Sequence, residues 1–153
     1  MLKSYISISL IIAVAIQLIC QLFKVVFYSI KGGRFSFRYF FSPGGMPSSH
    51  SAFVSAITTA VGIKRGITSD IFAVSFVFST IIIYDAMKLR KTVELHSHAL
   101  NGLYTRLNGV LADRSVGGDR VKFPEMVGHS LGEIAMGIVV GVGFTLVIFK
   151  LVV

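Results

Sequence analysis

Residues 44–63 read GGMPSSHSAFVSAITTAVGI. A glycine pair, a proline and two serines stand before a run in which Ala52, Ser55, Ala56, Thr59 and Ala60 recur among apolar residues. Proline suits the first turn of a helix, serine caps it, and glycine lets the preceding backbone turn sharply. The helix so begun, Ser48 to Ile63, is short for a membrane crossing and rich in Ser, Thr and Ala. Small side chains let helix backbones approach closely and hydroxyls bond across them, which predicts a central place in a membrane bundle.

The rest of the chain supplies helices to surround it. Tyr5 to Tyr28, Ile71 to Leu89 and Leu131 to Val153 are each apolar enough to cross roughly 30 Å of hydrocarbon. The last carries Gly132, Gly137, Gly141 and Gly143, and Gly137-x-x-x-Gly141 has the spacing of a close helix contact. Of 153 residues, 54% are hydrophobic and 14% charged, with mean hydropathy +0.78, which excludes an ordinary soluble domain. Lys3, followed by an apolar run and Ala13-Val14-Ala15, has the look of a cleavable signal, but apolar character continues to Tyr28, as in a retained spanning helix.

Between the third and fourth apolar stretches, Leu95, Leu100, Leu103, Leu107 and Leu111 recur at near-helical spacing. They predict an amphipathic helix that lies at the interface or packs beneath the bundle, ended by Gly117-Gly118. The expected fold class is therefore all-α: a polytopic membrane helix bundle of about four transmembrane helices plus an amphipathic interfacial helix, in a single domain over residues 1–153.

The net charge of +8 sits in loops between apolar blocks, so anionic headgroups or phosphate are expected partners and nucleic acid is not. With four crossings, Lys31, Arg34, Arg38, Lys88, Arg90, Lys91, Arg106, Arg114, Arg120 and Lys122 share one side, and Lys3, Lys64, Arg65 and Lys150 the other. The positive-inside rule makes the first side cytoplasmic. The lone Cys20 has no internal disulfide partner. No cofactor is expected. His96-Ser97-His98 resembles part of a metal site, but neither its spacing nor a nearby carboxylate completes one.

Three constellations carry chemistry. Gly44, Gly45, Ser48 and Ser49 lead into His50 at a helix start, which is either an ordinary capped helix with His50 at the headgroup level or, through its free N–H groups and the helix dipole, an anion site. Asp85 follows Ile81-Ile82-Ile83 and needs a partner. It either closes the helix with Lys88 or orients a neighbour while Arg90 holds phosphate. His129 and Glu133, four apart, can share a helical face, so that the carboxylate fixes the imidazole tautomer. Ser130-x-x-Glu133 is equally a capping box. Lys24, after Gln17 and Gln21, either snorkels to headgroups or turns inward to a phosphate. The four-crossing arrangement puts Lys24, His50, Asp85, Arg90, His129 and Glu133 at one membrane level, a combination suited to phosphoryl chemistry.

The segments Gly44-Gly45-Met46-Pro47-Ser48-Ser49-His50-Ser51-Ala52, Tyr84-Asp85-Ala86-x-x-x-Arg90 and Gly128-His129-x-x-x-Glu133 resemble those of the divergent branch of the type 2 phosphatidic acid phosphatase superfamily, also called acid phosphatase and vanadium-dependent haloperoxidase related. The likeness spans nearly the whole chain, including Lys24 and Asn101. It implies hydrolysis of a lipid phosphate or diphosphate, with His129 as nucleophile, Glu133 orienting it and His50 as acid. Several features depart from the superfamily pattern. Ser49 stands for glycine and Glu133 for aspartate, Lys24 is followed seven residues later by Lys31, and no arginine lies six residues before His129. Arg90 or Arg120 would have to substitute. The other reading is a phospholipid-headgroup-binding membrane protein without activity, a carrier or partner subunit. Homo-oligomerisation is compatible with either.

The charge distribution generates a topology test. A cysteine introduced at Ser36 is expected to stay unlabelled by an impermeant thiol reagent added outside intact cells; labelling from outside would reverse the orientation.

Overall fold

The computed structural model describes residues 7–32, 35, 40, 45–111, 123 and 128–152. They form helices α1 (Ile8–Gly32), α2 (Ser49–Arg65), α3 (Asp70–Tyr84), α4 (Arg90–Leu111) and α5 (Leu131–Val152). The arrangement is all-helical among the described residues, with α2 packed against α1, α3 and α5, and α1 also touching α5. Ile8–Ile30, Asp70–Leu107 and Leu131–Leu151 are long and apolar enough to cross a membrane. The 17 residues of α2 span only about 25 Å, and α2 occupies the central position its small side chains predict.

Burial is arranged for an apolar solvent. On α1, Ile12, Ala13, Ile16, Cys20 and Lys24 form the inward stripe, while Ile11, Leu18, Leu22 and Val26 are exposed. On α2 the buried set is Ser49, Ser51, Ala52, Val54, Ser55, Ala56, Thr58 and Ala60. Polar groups there bond across helices because lipid offers them nothing. The hydroxyl of Thr58 lies 2.6 Å from that of Ser79 and 3.0 Å from that of Ser75, and Ser79 donates to the Val54 carbonyl at 3.1 Å.

The α2–α5 contact is closer still. A Cβ at Gly137 would run into the Ser48 carbonyl oxygen and stand 3.0 Å from Ser51 Cβ, and one at Gly141 would strike the Ala52 carbonyl group. Gly132 and Gly143 meet nothing within 4 Å. The i,i+4 pair is thus a steric requirement, and its two neighbours are not.

Ser48 caps α2, its side chain accepting the Ser51 N–H, and Gly66 ends it at φ 84°, its N–H returning to the Gly62 carbonyl. The third element departs from expectation. The sequence suggests a span ending near Leu89 and a separate amphipathic helix, but α3 and α4 are continuous through one π-helical turn, Asp85–Leu89, in which the Arg90 N–H reaches back to the Asp85 carbonyl. Asp85 and Arg90 both have right-handed helical backbone and no helix breaker stands between them, so nothing separates the two helices. The combined helix is about 60 Å long, so much of α4 must lie beyond the hydrocarbon. Its Leu95, Leu100, Leu103 and Leu107 are exposed. Gly117 and Gly118 lie outside the described residues.

The glycines give a paired stability test. Gly141→Ala is expected to destabilise the folded protein in detergent by about 1–3 kcal/mol or more, the scale of overpacking, despite alanine's better helix propensity. Gly143→Ala, facing open space, is expected to be neutral or slightly stabilising. Equal melting temperatures for the two variants would remove the steric argument.

Candidate active site

The residues singled out in the sequence converge where α1, the start of α2, the π turn and the start of α5 meet. Gly45 has φ 83°, and a Cβ there would come within 2.8 Å of the Tyr28 hydroxyl oxygen, so glycine is required twice over. The chain then enters α2 through Ser48, which is fully buried. The Ser48 N–H donates to the Glu133 carbonyl at 3.0 Å, binding the two helix starts together. The N–H groups of Ser49 and His50 open the first turn of α2, where no intrahelical carbonyl lies one turn back. Beside them, Ser49 Oγ and His50 Nδ1 are buried without a hydrogen-bond partner among the described residues. Such atoms cost about 1–3 kcal/mol each when unsatisfied, and a bound oxyanion would relieve that cost.

Opposite lies His129, 4% exposed. Its Nδ1 is 3.0 Å from Glu133 Oε2, which also accepts the Ser130 N–H at 3.0 Å, while Ser130 Oγ accepts the Glu133 N–H at 3.3 Å. The two readings of Glu133 are therefore both realised: one carboxylate closes a capping box and holds the imidazole. A carboxylate only accepts, so Nδ1 carries the hydrogen and Nε2 presents its lone pair. The His129 N–H donates to the Ala86 carbonyl at 3.3 Å, docking this loop on the π turn.

That turn also sets the ion pair. Arg90 Nε donates to Asp85 Oδ2 at 3.1 Å, so Asp85 is paired with Arg90 and not with Lys88, and the two Nη ends of the guanidinium remain for a phosphate. Lys24 is turned inward, 2% exposed, instead of snorkelling. It lies within electrostatic range of Glu133, His50 and His129; His50 in turn feels Arg90, His129, Lys24 and Asp85. Gly44 and Arg120 lie outside the described residues.

Part of the surround was not apparent from sequence. Gly45, Lys91, Glu94, Gly128, His129, Ser130 and Glu133 line a cavity of about 240 Å³. Glu94, paired with Lys91, accepts the Gly128 N–H at 3.1 Å. A Cβ at Gly128 would come within 2.9 Å of Lys91 Cα, so this glycine lets the loop lie directly on α4. Asn101 steadies the same segment farther along, its amide donating to the Phe123 carbonyl and accepting the Phe123 N–H, both at 3.0 Å. The Glu94–Gly128 bond spans 34 residues, and its only local cue is a charged pair on an amphipathic helix, which reads as solvated surface.

Compared with known sequences, the chain matches the Divergent PAP2 family over residues 7–144. It belongs to that family. An uncharacterized membrane protein of Bacillus subtilis (strain 168), YuiD, is 31% identical over 145 residues, covering 91% of this chain and 92% of that protein. No solved structure matches the chain. Within this divergent PAP2 protein, as the likeness of its motifs implies, the segment from Ser48 to Ala52 and the start of α5 lie against one another. It is an integral membrane protein of several passes, by its apolar helices and its relative.

Burial pushes the His129 pKa below the ordinary imidazole range; the Glu133 hydrogen bond opposes this and the Lys24 and Arg90 charges add to it. His129 is consequently neutral at pH 7, the state in which Nε2 is a nucleophile. Because Glu133 raises the value, Glu133→Gln is expected to shift His129 titration to still lower pH while glutamine preserves the cap and the melting temperature. Histidine NMR in detergent, with His129→Ala for assignment, checks this. An unchanged titration would mean that the carboxylate does not act on the ring.

Proposed function

We propose that this divergent PAP2 protein is a membrane-embedded phosphatase-like enzyme that hydrolyses a lipid phosphate or diphosphate through a histidine nucleophile. The observation that carries the reading is the His129–Glu133 pair, its tautomer fixed, in one site with Arg90, Lys24 and His50.

The substrate phosphoryl group sits against the first-turn N–H groups of α2, with Gly45, Ser48 and Ser49 forming the cradle and Arg90 and Lys24 neutralising its oxygens. His129 Nε2 attacks phosphorus. A P–N bond forms as the P–O bond to the leaving group breaks, and His50 donates a proton to the departing oxygen. The imidazolium that develops at His129 is stabilised by Glu133. Asp85 keeps Arg90 oriented through its Nε. In the second half, water gives a proton to His50 and attacks phosphorus, the P–N bond breaks, and inorganic phosphate leaves. The loop charges support a cytoplasmic mouth for this site.

One observation favours the alternative of a headgroup-binding protein without turnover: of the superfamily's two further arginine positions, one holds Lys31 and the other the uncharged Phe123. The experiment separates the two. Purified protein is expected to release phosphate from at least one member of a panel of lipid phosphates and diphosphates. His129→Ala is expected to abolish both release and phosphohistidine formation, and His50→Ala to slow release by roughly 10²–10⁴-fold. Full activity in His129→Ala would overturn the nucleophile assignment. Well-folded wild type that binds these lipids without hydrolysing any would leave the binding protein.

A further inference from the structure

One feature that this mechanism does not use is an apolar groove of about 450 Å³ between α1 and α5. Phe23 and Phe27 line one wall; Met136, Val140 and Phe144 line the other; Pro47 lies at one end. Along α5 the lining recurs every four residues, so the groove follows the helix axes for about 12 Å. Its volume lies within the roughly 300–1,000 Å³ usual for small-molecule sites, and no charged side chain enters its lining. Phe23, Phe27, Met136 and Phe144 are each between 41% and 55% exposed, so the groove opens sideways, where the surrounding helix faces are apolar and face lipid.

What identifies the occupant is the groove's continuity with the site. Pro47 precedes the Ser48 cap, Met136 is one turn beyond Glu133, and Cys20, also in the lining, is one turn from Lys24. A cationic, hydrogen-bonding site thus lies at one end of an apolar groove lined by side chains of both helices. That is the complement of an amphiphile: a phosphate attached to an apolar tail. Phe23 and Phe27, stacked with ring centroids 6.0 Å apart, give the tail a flat wall to pack on.

We propose that the α1–α5 groove holds one hydrocarbon chain of the lipid phosphate whose headgroup binds at His129 and Arg90, and that the lipid enters sideways from the bilayer. The assignment rests on the phosphate-site reading above. Transfer of a tail from bilayer to groove exchanges one apolar surrounding for another, so discrimination comes from packing and from tethering of the headgroup, and little from hydrophobic gain.

The experiment uses full-length protein in lipid nanodiscs with a long-chain alkyl phosphate carrying a diazirine at mid-chain. After illumination, mass spectrometry is expected to find adducts concentrated on Phe23, Phe27, Val140 and Phe144. Excess dodecyl phosphate should remove them, and Arg90→Ala should reduce them at least tenfold. Met136→Trp, which fills the groove from an already exposed position, should reduce them similarly; Phe78→Trp on the outer face of α3 should not. Adducts spread evenly over α3 as well, or groove adducts indifferent to Arg90→Ala, would mean ordinary surrounding lipid and overturn the assignment. Phosphate binding measured on the same nanodiscs distinguishes the two levels. Binding that depends on Arg90, with tails labelled elsewhere, sinks the groove alone, whereas absence of Arg90-dependent binding sinks both the groove and the phosphate site.

Discussion

Everything at the site depends on how closely α2 and α5 approach. Gly137 and Gly141 lie against the Ser48 and Ala52 carbonyl groups with no room for a methyl, and the Ser48 N–H is bonded to the Glu133 carbonyl. The contact sets the depth at which the start of α5 stands beside the start of α2, and therefore where His129 and Glu133 stand relative to Ser49 and His50. In lipid no hydrophobic force pulls helices together, so backbone proximity and interhelical hydrogen bonds have to do so. A single bulky residue at either glycine would separate two halves of a site that are some eighty residues apart in sequence.

The second constraint is electrostatic. Lys24, Arg90 and two imidazoles share a region with Asp85 and Glu133, at the end of a bundle whose exterior is apolar. Lys24 is buried and Arg90 half-buried, and cations so placed are costly unless they are paired or meet an anion. Asp85 answers part of the Arg90 charge and Glu133 acts on His129, but neither carboxylate satisfies Ser49 Oγ, His50 Nδ1 or the first-turn N–H groups of α2. An oxyanion would supply acceptors to these groups and charge to the cations together. The π turn contributes twice, placing Arg90 one residue out of α-helical phase with Asp85 and offering the Ala86 carbonyl to His129. Such turns often mark functional positions, and here the reason is visible in what each freed or shifted group touches.

Much of this was legible because membrane physics narrows the choices. Small residues in 48–63 pointed to a central helix, and the i,i+4 glycine spacing on α5 to a close helix contact, although it did not say which helix is met. The spacing of His129 and Glu133 placed them on one face, although sequence alone could not tell a cap from a tautomer-fixing carboxylate, since one side chain satisfies both geometries. The fate of Lys24 depended on which face of α1 turns inward, which local pattern does not specify when the outward face is equally apolar. The partner of Asp85 was ambiguous for a related reason: an ordinary α-helix favours Lys88, and only the extra residue of the π turn brings Arg90 to it. The continuity of α3 with α4 and the Glu94–Gly128 bond were not legible. The first is a matter of phase with no breaker to announce it, and the second joins residues far apart through a backbone N–H.

The central claim is that residues from four separate segments make one oxyanion site. Orthovanadate, which adopts the five-coordinate geometry of a phosphoryl transition state, tests it with no assumption about the lipid. Titrated into purified protein and followed by vanadium NMR or calorimetry, it is expected to bind saturably at a single site, to be displaced by inorganic phosphate, and to lose most of its affinity in both Arg90→Ala and His129→Ala. Failure to bind vanadate or phosphate, or binding that both variants leave intact, would contradict the account.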